Sequence, residues 1–128
     1  MSEWTNDELA KIGASDELQL GSLQQDGTLR KPVTIWVVRH GDHLYVRSVR
    51  GRTSAWFRGV RDRHQGHIRT GDVEKDVTFV EVEDVDDEVD EAYRAKYGRY
   101  PAEYVDPIVA AAARAATLEL IPAPAGAD

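Results

Sequence analysis

The chain has 128 residues, 41% apolar and 30% charged, with no cysteine and a net charge of −7. That is the size of one domain around one core, and it excludes a disulfide framework, a thiolate nucleophile and thiolate metal ligands, so redox chemistry would need a bound cofactor. No apolar run approaches the ~20 residues of a membrane span, MSEWTNDELA lacks the regions of a signal peptide, and a pI near 5.0 opposes general nucleic-acid binding, so a cytoplasmic protein is expected.

Thr5-Asn6-Asp7-Glu8 has the form of a capping box and predicts a short helix to about Gly13, with Trp4 as its hydrophobic staple. Glu17 to Leu20 alternates polar and apolar residues, Asp26-Gly27 is a turn dipeptide, and Lys31 to Arg39 is rich in β-branched and aromatic residues, which predicts a hairpin. His40-Gly41-Asp42 turns the chain into a third strand, Leu44 to Arg50. Gly51 stops that strand, and Ser54 is the expected N-cap of a helix to Arg63 with Trp56, Phe57 and Val60 on its inner side.

His67 to Arg69 predicts a short strand and Val73 to Val82 a longer one, where the adjacent Phe79 and Val80 break alternation and suggest a bulge or a strand partly buried on both faces. Asp84 to Gly98 is acidic at its start and basic near its end, as a helix dipole favours. Asp106 to Ala116 is alanine-rich and expected to be helical, and Ala116 to Ile121 is the expected last strand. The whole predicts one α+β domain over residues 1–122, a small six-stranded β-barrel with peripheral helices, followed by a frayed tail, 123–128.

Charge is unevenly spread: residues 1–38 carry three basic and six acidic groups, 39–69 eight and two, and 70–128 five and fifteen. A basic segment inside an acidic chain suits one small anionic ligand better than a polynucleotide. The competing explanation is that the arginines pair with the chain's own carboxylates. His64-Gln65-Gly66-His67 offers two histidines without a third ligand, and the acidic run from Glu81 lacks calcium-loop spacing, so no metal site is expected. Ser48 and Ser54 stand in no hydrolase motif.

Strand parity places Thr34 and Trp36 on one face of the second strand, and Ser48 and Arg50 on one face of the third, opposite Arg47. An aromatic plane, hydroxyls and a guanidinium together suit a planar heterocycle bearing a phosphate. Gly51 would admit the ligand closely, and Ser54 would place helix N–H groups beside the phosphate. Arg47 is the expected structural ion-pair former, while Arg58 and Arg61 are expected at a surface or interface.

The runs DGTLRKPVTIWVVRHGDHLYVRSVRGRTSAWFRGV, GHIRTGDVEKDVTFVEV, AYRAKYGRY and ARAATLELIP closely resemble the bacterial domain-of-unknown-function family 2255, from Trp4 to Pro122. That family in turn resembles the split β-barrel group of pyridoxamine-phosphate oxidases and deazaflavin-dependent nitroreductases. The resemblance implies a split β-barrel homodimer binding FMN or a deazaflavin in a cleft between subunits. It places Lys31, Thr34 and Trp36 along one side of the cofactor, Ser48, Arg50, Gly51 and Arg52 at its phosphate, and Trp56 over the site. Tyr45 is a candidate proton donor. The alternative is a cofactor-free protein holding a small anionic metabolite in the same cleft.

Overall fold

The computed structural model describes residues 4–22, 26, 28–29 and 31–123, the side chains of Asp62 and Arg63 excepted. Helix α1 (Asn6–Ala14) opens on the capping box: Glu8 N–H donates to Thr5 Oγ1 (3.1 Å), and Thr5 N–H to Glu8 Oε1 (2.9 Å). Trp4 is buried, and its indole N–H donates to the Leu120 carbonyl (2.9 Å).

Strands β1 (Glu17–Ser22), β2 (Val33–His40) and β3 (His43–Arg47) form the expected meander, although Gly27 of the first turn dipeptide lies outside the described residues. A 3₁₀ turn (Gly51–Thr53) leads into α2 (Ala55–Arg63), and β4 (Gln65–Thr70) and β5 (Val73–Glu81) form the next hairpin. Helix α3 (Asp86–Tyr97) follows, then α4 (Ala102–Val105), a second 3₁₀ turn (Asp106–Val109), α5 (Ala111–Arg114) and β6 (Thr117–Pro122). The six strands close an antiparallel barrel in the order β1-β2-β3-β6-β5-β4, with β4 paired back onto β1.

Several sequence expectations need correction. The third strand ends at Arg47, so Ser48 and Arg50 lie beyond it. Pairing of Val37 with Val46, and of Val38 with Tyr45, sets the faces: Val46 points into the barrel, while Tyr45 and Arg47 share the outer face with Trp36 and Val38. Parity therefore does not join Ser48 to Thr34 and Trp36; the turn after β3 does. Strand β5 has no bulge, since its register on both neighbours is uninterrupted and Val80 is simply an outward, exposed residue.

The expected helix over 106–116 is broken into pieces, because Pro107 lacks a donor and Ala110 is extended (φ −78°, ψ 165°). Strand β4 starts earlier than expected, at Gln65, because His64 ends α2 in the left-handed region (φ 57°) and the chain re-enters the sheet at once. Gly66 is required there: a Cβ would lie 2.2 Å from the Gly21 carbonyl oxygen and 2.7 Å from the Phe79 ring. At the C-terminus Pro122 pairs with Val77 and Ala123 N–H donates to the Asp76 carbonyl (2.9 Å); the rest of the expected tail, 124–128, lies outside the described residues.

Two apolar layers result. Leu18, Leu20, Val37, Val46, Ile68, Phe79 and Leu118 fill the barrel with Phe57 and Val60 of α2. Outside it, Val38 and Tyr45 pack under Val89, Tyr93 and Tyr97 of α3 and Ile108. Helix α3 also serves β2 beyond its last pair with β1, Glu17 with Trp36. Tyr97 Oη accepts from the Val37 N–H (3.2 Å), Lys96 Nζ donates to the Val37 carbonyl (2.6 Å), and Tyr93 Oη donates to the Trp36 carbonyl (3.2 Å).

Candidate functional site

A cleft of about 750 Å³ opens beside the barrel, between β2, the segment from β3 to the start of α2, and the α4 to 3₁₀ segment. Thr34, Trp36, Ser48, Arg50, Ser54 and Trp56 all line it. They come together because the chain leaves the sheet after Arg47, turns through Gly51–Thr53 and starts α2 alongside β2.

The polar end centres on two hydroxyls. Ser48 Oγ and Ser54 Oγ lie 2.7 Å apart, and Ser54 Oγ also accepts from the Phe57 N–H (3.4 Å) as the N-cap of α2. The N–H groups of Ala55 and Trp56 head that helix, where intrahelical acceptors are lacking. Arg50 lies beside them, exposed and, among the described residues, without a carboxylate partner. Hydroxyls, helix N–H groups and a free guanidinium make an anion-binding set.

Aromatic groups provide much of the wall. Trp36 stacks on Tyr97 with centroids 4.0 Å apart and planes 3° from parallel, and on Tyr100 at 5.4 Å. Trp56 packs partly against the barrel core and meets Phe57 edge-on at 6.0 Å. Val49 and Tyr104 stand 52% and 59% exposed on the lining, apolar surface that water would otherwise cover.

The other residues singled out from sequence sit elsewhere. Lys31 is exposed and does not line the cleft. Gly51 has φ 78°, and the group it admits closely is Ala112, whose carbonyl oxygen would be 3.2 Å from an added Cβ. Arg52 donates to Glu81 Oε1 (2.6 Å) and the Ala115 carbonyl (3.0 Å) and lies over the Phe57 ring. Tyr45 belongs to the layer under α3; burial raises its phenol pKa, with the Glu119 and Glu88 charges adding to this.

Arg47 is the buried ion-pair former that its position suggested. It pairs with Asp90, approaches Asp86 Oδ1 (3.5 Å), and donates to Thr117 Oγ1 (2.9 Å) and the carbonyls of Ile108 (3.1 Å) and Asp86 (3.0 Å). These bonds tie β3 to β6, to α3 and to the segment that forms one wall of the cleft. Arg58 and Arg61 are exposed on α2. His67 sits on β4 between Asp76 (2.8 Å) and Glu74 (3.1 Å).

Sequence reasoning missed Glu17, Glu103, Tyr104, Pro107 and Ile108, which also line the cleft. Glu17 and Glu103 have no ion pair among the described residues, so two carboxylates share the lining with Arg50. The tyrosines behind Trp36 had a signal: Tyr93, Tyr97 and Tyr100 follow helical spacing. Residues 103–108 had none, because their placement depends on how the helix breaks.

Solved structures share this fold. The heme storage protein HutZ from Vibrio cholerae is 13% identical with a TM-score of 0.64, covering 93% of this chain and 90% of that one. A FAD-binding protein from Mesorhizobium loti is 15% identical (TM-score 0.58, covering 94% and 91%), and an F420 reductase is 15% identical (TM-score 0.57, covering 90% of each). No curated protein matches the sequence significantly. The model of the family DUF2255, uncharacterized proteins conserved in bacteria, matches residues 8–120. With nearly the whole barrel inside that match, the chain belongs to the DUF2255 family.

Proposed function

We propose that this protein binds FMN or a deazaflavin in the cleft, as a homodimer, and acts as a small reductase or oxidase. The observation that carries the reading is the convergence of Ser48, Arg50, Ser54 and the start of α2 at one end of a cavity walled by Trp36 and Trp56. These groups fit a phosphorylated planar cofactor: the hydroxyls, helix N–H groups and guanidinium hold the phosphate, and the indoles flank the ring. Arg52 is already paired and Lys31 lies outside the lining, so the grip on phosphate reduces to Arg50 and the serines. When bound, the ring supplies hydride transfer, while the chain orients it and shields it from water.

Two of the similar folds named above are called an F420 reductase and a FAD-binding protein, which supports the cofactor class. The exposed Val49 and Tyr104 beside the cleft, and the acidic C-terminal half set against the basic 39–69 segment, support self-association.

A second reading, a small anionic metabolite held without cofactor, draws on Glu17 and Glu103, whose charges oppose a highly charged ligand. An absorbance spectrum, with mass spectrometry of molecules released on denaturation, tests both. Titration with FMN and with a deazaflavin cofactor should give micromolar binding, weakened about 10-fold by Arg50→Gln, the equivalent of one charged hydrogen bond. Colourless protein that binds neither cofactor overturns the redox reading and leaves the metabolite.

A further inference from the structure

On a face outside the cleft, α1 and α3 flank the far half of β2 and leave a groove of about 500 Å³. Its sides are small, with Gly13 and Ala14 on α1 and Ala92 and Ala95 on α3, and its two charged lining residues are Arg39 and Lys96. Among the described residues neither cation has a carboxylate within 4 Å, a state they share with Arg50 and several exposed arginines, but these two stand together on one groove.

Both cations are held in place by neutral groups. Arg39 Nε donates to the Gly41 carbonyl (2.8 Å), and its stem lies over Gly13, where a Cβ would come within 3.3 Å of Arg39 Cδ. That leaves the two terminal nitrogens of the guanidinium for a ligand. Lys96 Nζ spends one donor on the Val37 carbonyl (2.6 Å), lies 5.1 Å from the Tyr97 ring centroid, and keeps two. Lys96 is half-buried, and desolvation lowers its pKa to about 8, with Asp16 pulling it back up and Arg99 pushing it down. An ammonium in that position gains from an incoming negative charge.

We propose that this groove is a binding site for a monocarboxylate with a short apolar body, the carboxylate bridging Arg39 and Lys96 and the body lying on the alanines. A planar guanidinium fork beside an ammonium matches a carboxylate, and the small apolar sides formed by Gly13, Ala14, Ala92 and Ala95 offer surface to an apolar body that inorganic phosphate lacks. The site is independent of the cofactor cleft.

The test is titration of the full chain with benzoate, benzamide and inorganic phosphate at constant pH and ionic strength, followed by amide NMR. Benzoate should shift signals of α1, α3 and the end of β2 saturably, and its affinity should fall about 10-fold in both Lys96→Gln and Arg39→Gln, the second an exposed side chain whose loss leaves the fold intact. Benzamide should not bind there. The proposal is overturned if benzamide binds as well as benzoate, if phosphate binds the same residues more tightly, if Arg39→Gln leaves benzoate affinity unchanged, if benzoate shifts only cleft residues such as Trp56, or if it shifts nothing saturably.

Discussion

Replacing Arg47 by methionine removes the most connected charged group of the fold. The side chain has zero exposure and gives its donors to Asp90, Thr117 Oγ1 and the carbonyls of Ile108 and Asp86. Methionine keeps the apolar stem but leaves the Asp90 carboxylate, itself only 11% exposed, with Arg114 Nε at 3.3 Å as its remaining partner. Two carbonyls lose a donor as well. Removing one side of a buried pair costs about 3–5 kcal/mol, and the orphaned carbonyls keep the figure from falling below that range. For a chain of this length that corresponds to a fall in Tm of about 10–20 °C. Urea unfolding followed by circular dichroism measures it directly. Arg52→Met is the control, because its partner Glu81 is 36% exposed and such pairs contribute at most about 1 kcal/mol. A loss below about 1 kcal/mol for Arg47→Met, equal to the control, would refute the claim that this arginine holds α3 and the cleft wall to the barrel.

Lys96 gives a pH signature of definite sign. Its pKa lies at about 8 in the fold and near 10.5 when exposed, so folding disfavours its charged form, and that penalty is lifted as pH rises from about 8. Stability should rise by roughly 1–2 kcal/mol between pH 8 and 10, allowing for the part of the side chain that water still reaches, and the rise should vanish in Lys96→Met. Above pH 10 the trend must reverse, since burial holds the Tyr93 and Tyr97 phenols well above their ordinary range while the unfolded chain ionises. A flat wild-type profile from pH 8 to 10 contradicts this. Gly66→Ala should cost the upper part of about 1–3 kcal/mol in chemical unfolding, because the added carbon meets the backbone of β1 and the Phe79 ring, and a neutral result would show that the β1–β4 seam can yield.

The barrel was legible because its information is local. The β-branched and aromatic run from Lys31 to Arg39 and the Gly-Asp turn each act over a few residues, and consecutive strands are neighbours except where β4 and β6 close the ring. Arg47 was singled out as structural because parity sets it opposite Ser48 and Arg50; it does form the buried ion pair, but from the same outer face as Trp36. What escaped is set by long-range packing. Beyond the end of β3 at Arg47 the chain packs Gly51 against Ala112, more than sixty residues away, and the turn there decides what Ser48 meets. Likewise the alanine-rich stretch has helical propensity throughout, yet Pro107 and the extended Ala110 divide it, and the division brings Glu103 and Tyr104 to the cleft. Arg52 shows the limit of charge patterns: nothing near it in sequence distinguishes a ligand-facing arginine from one bound to Glu81.

The side chains that α3 lays against β2 have a consequence for behaviour at high protein concentration. Where β1 stops at Glu17, the strand beyond Trp36 would offer another chain an open row of amides and carbonyls. Tyr97 and Lys96 already occupy the amide and carbonyl of Val37, the first such pair past that end. A helix thus acts as a selvedge, finishing the cloth with side chains where weaving ends, so the first free amide and carbonyl past β1 are not left open to a foreign strand. Loss of the Tyr97 hydroxyl would therefore be felt first as a tendency to aggregate, before any change in what the barrel binds.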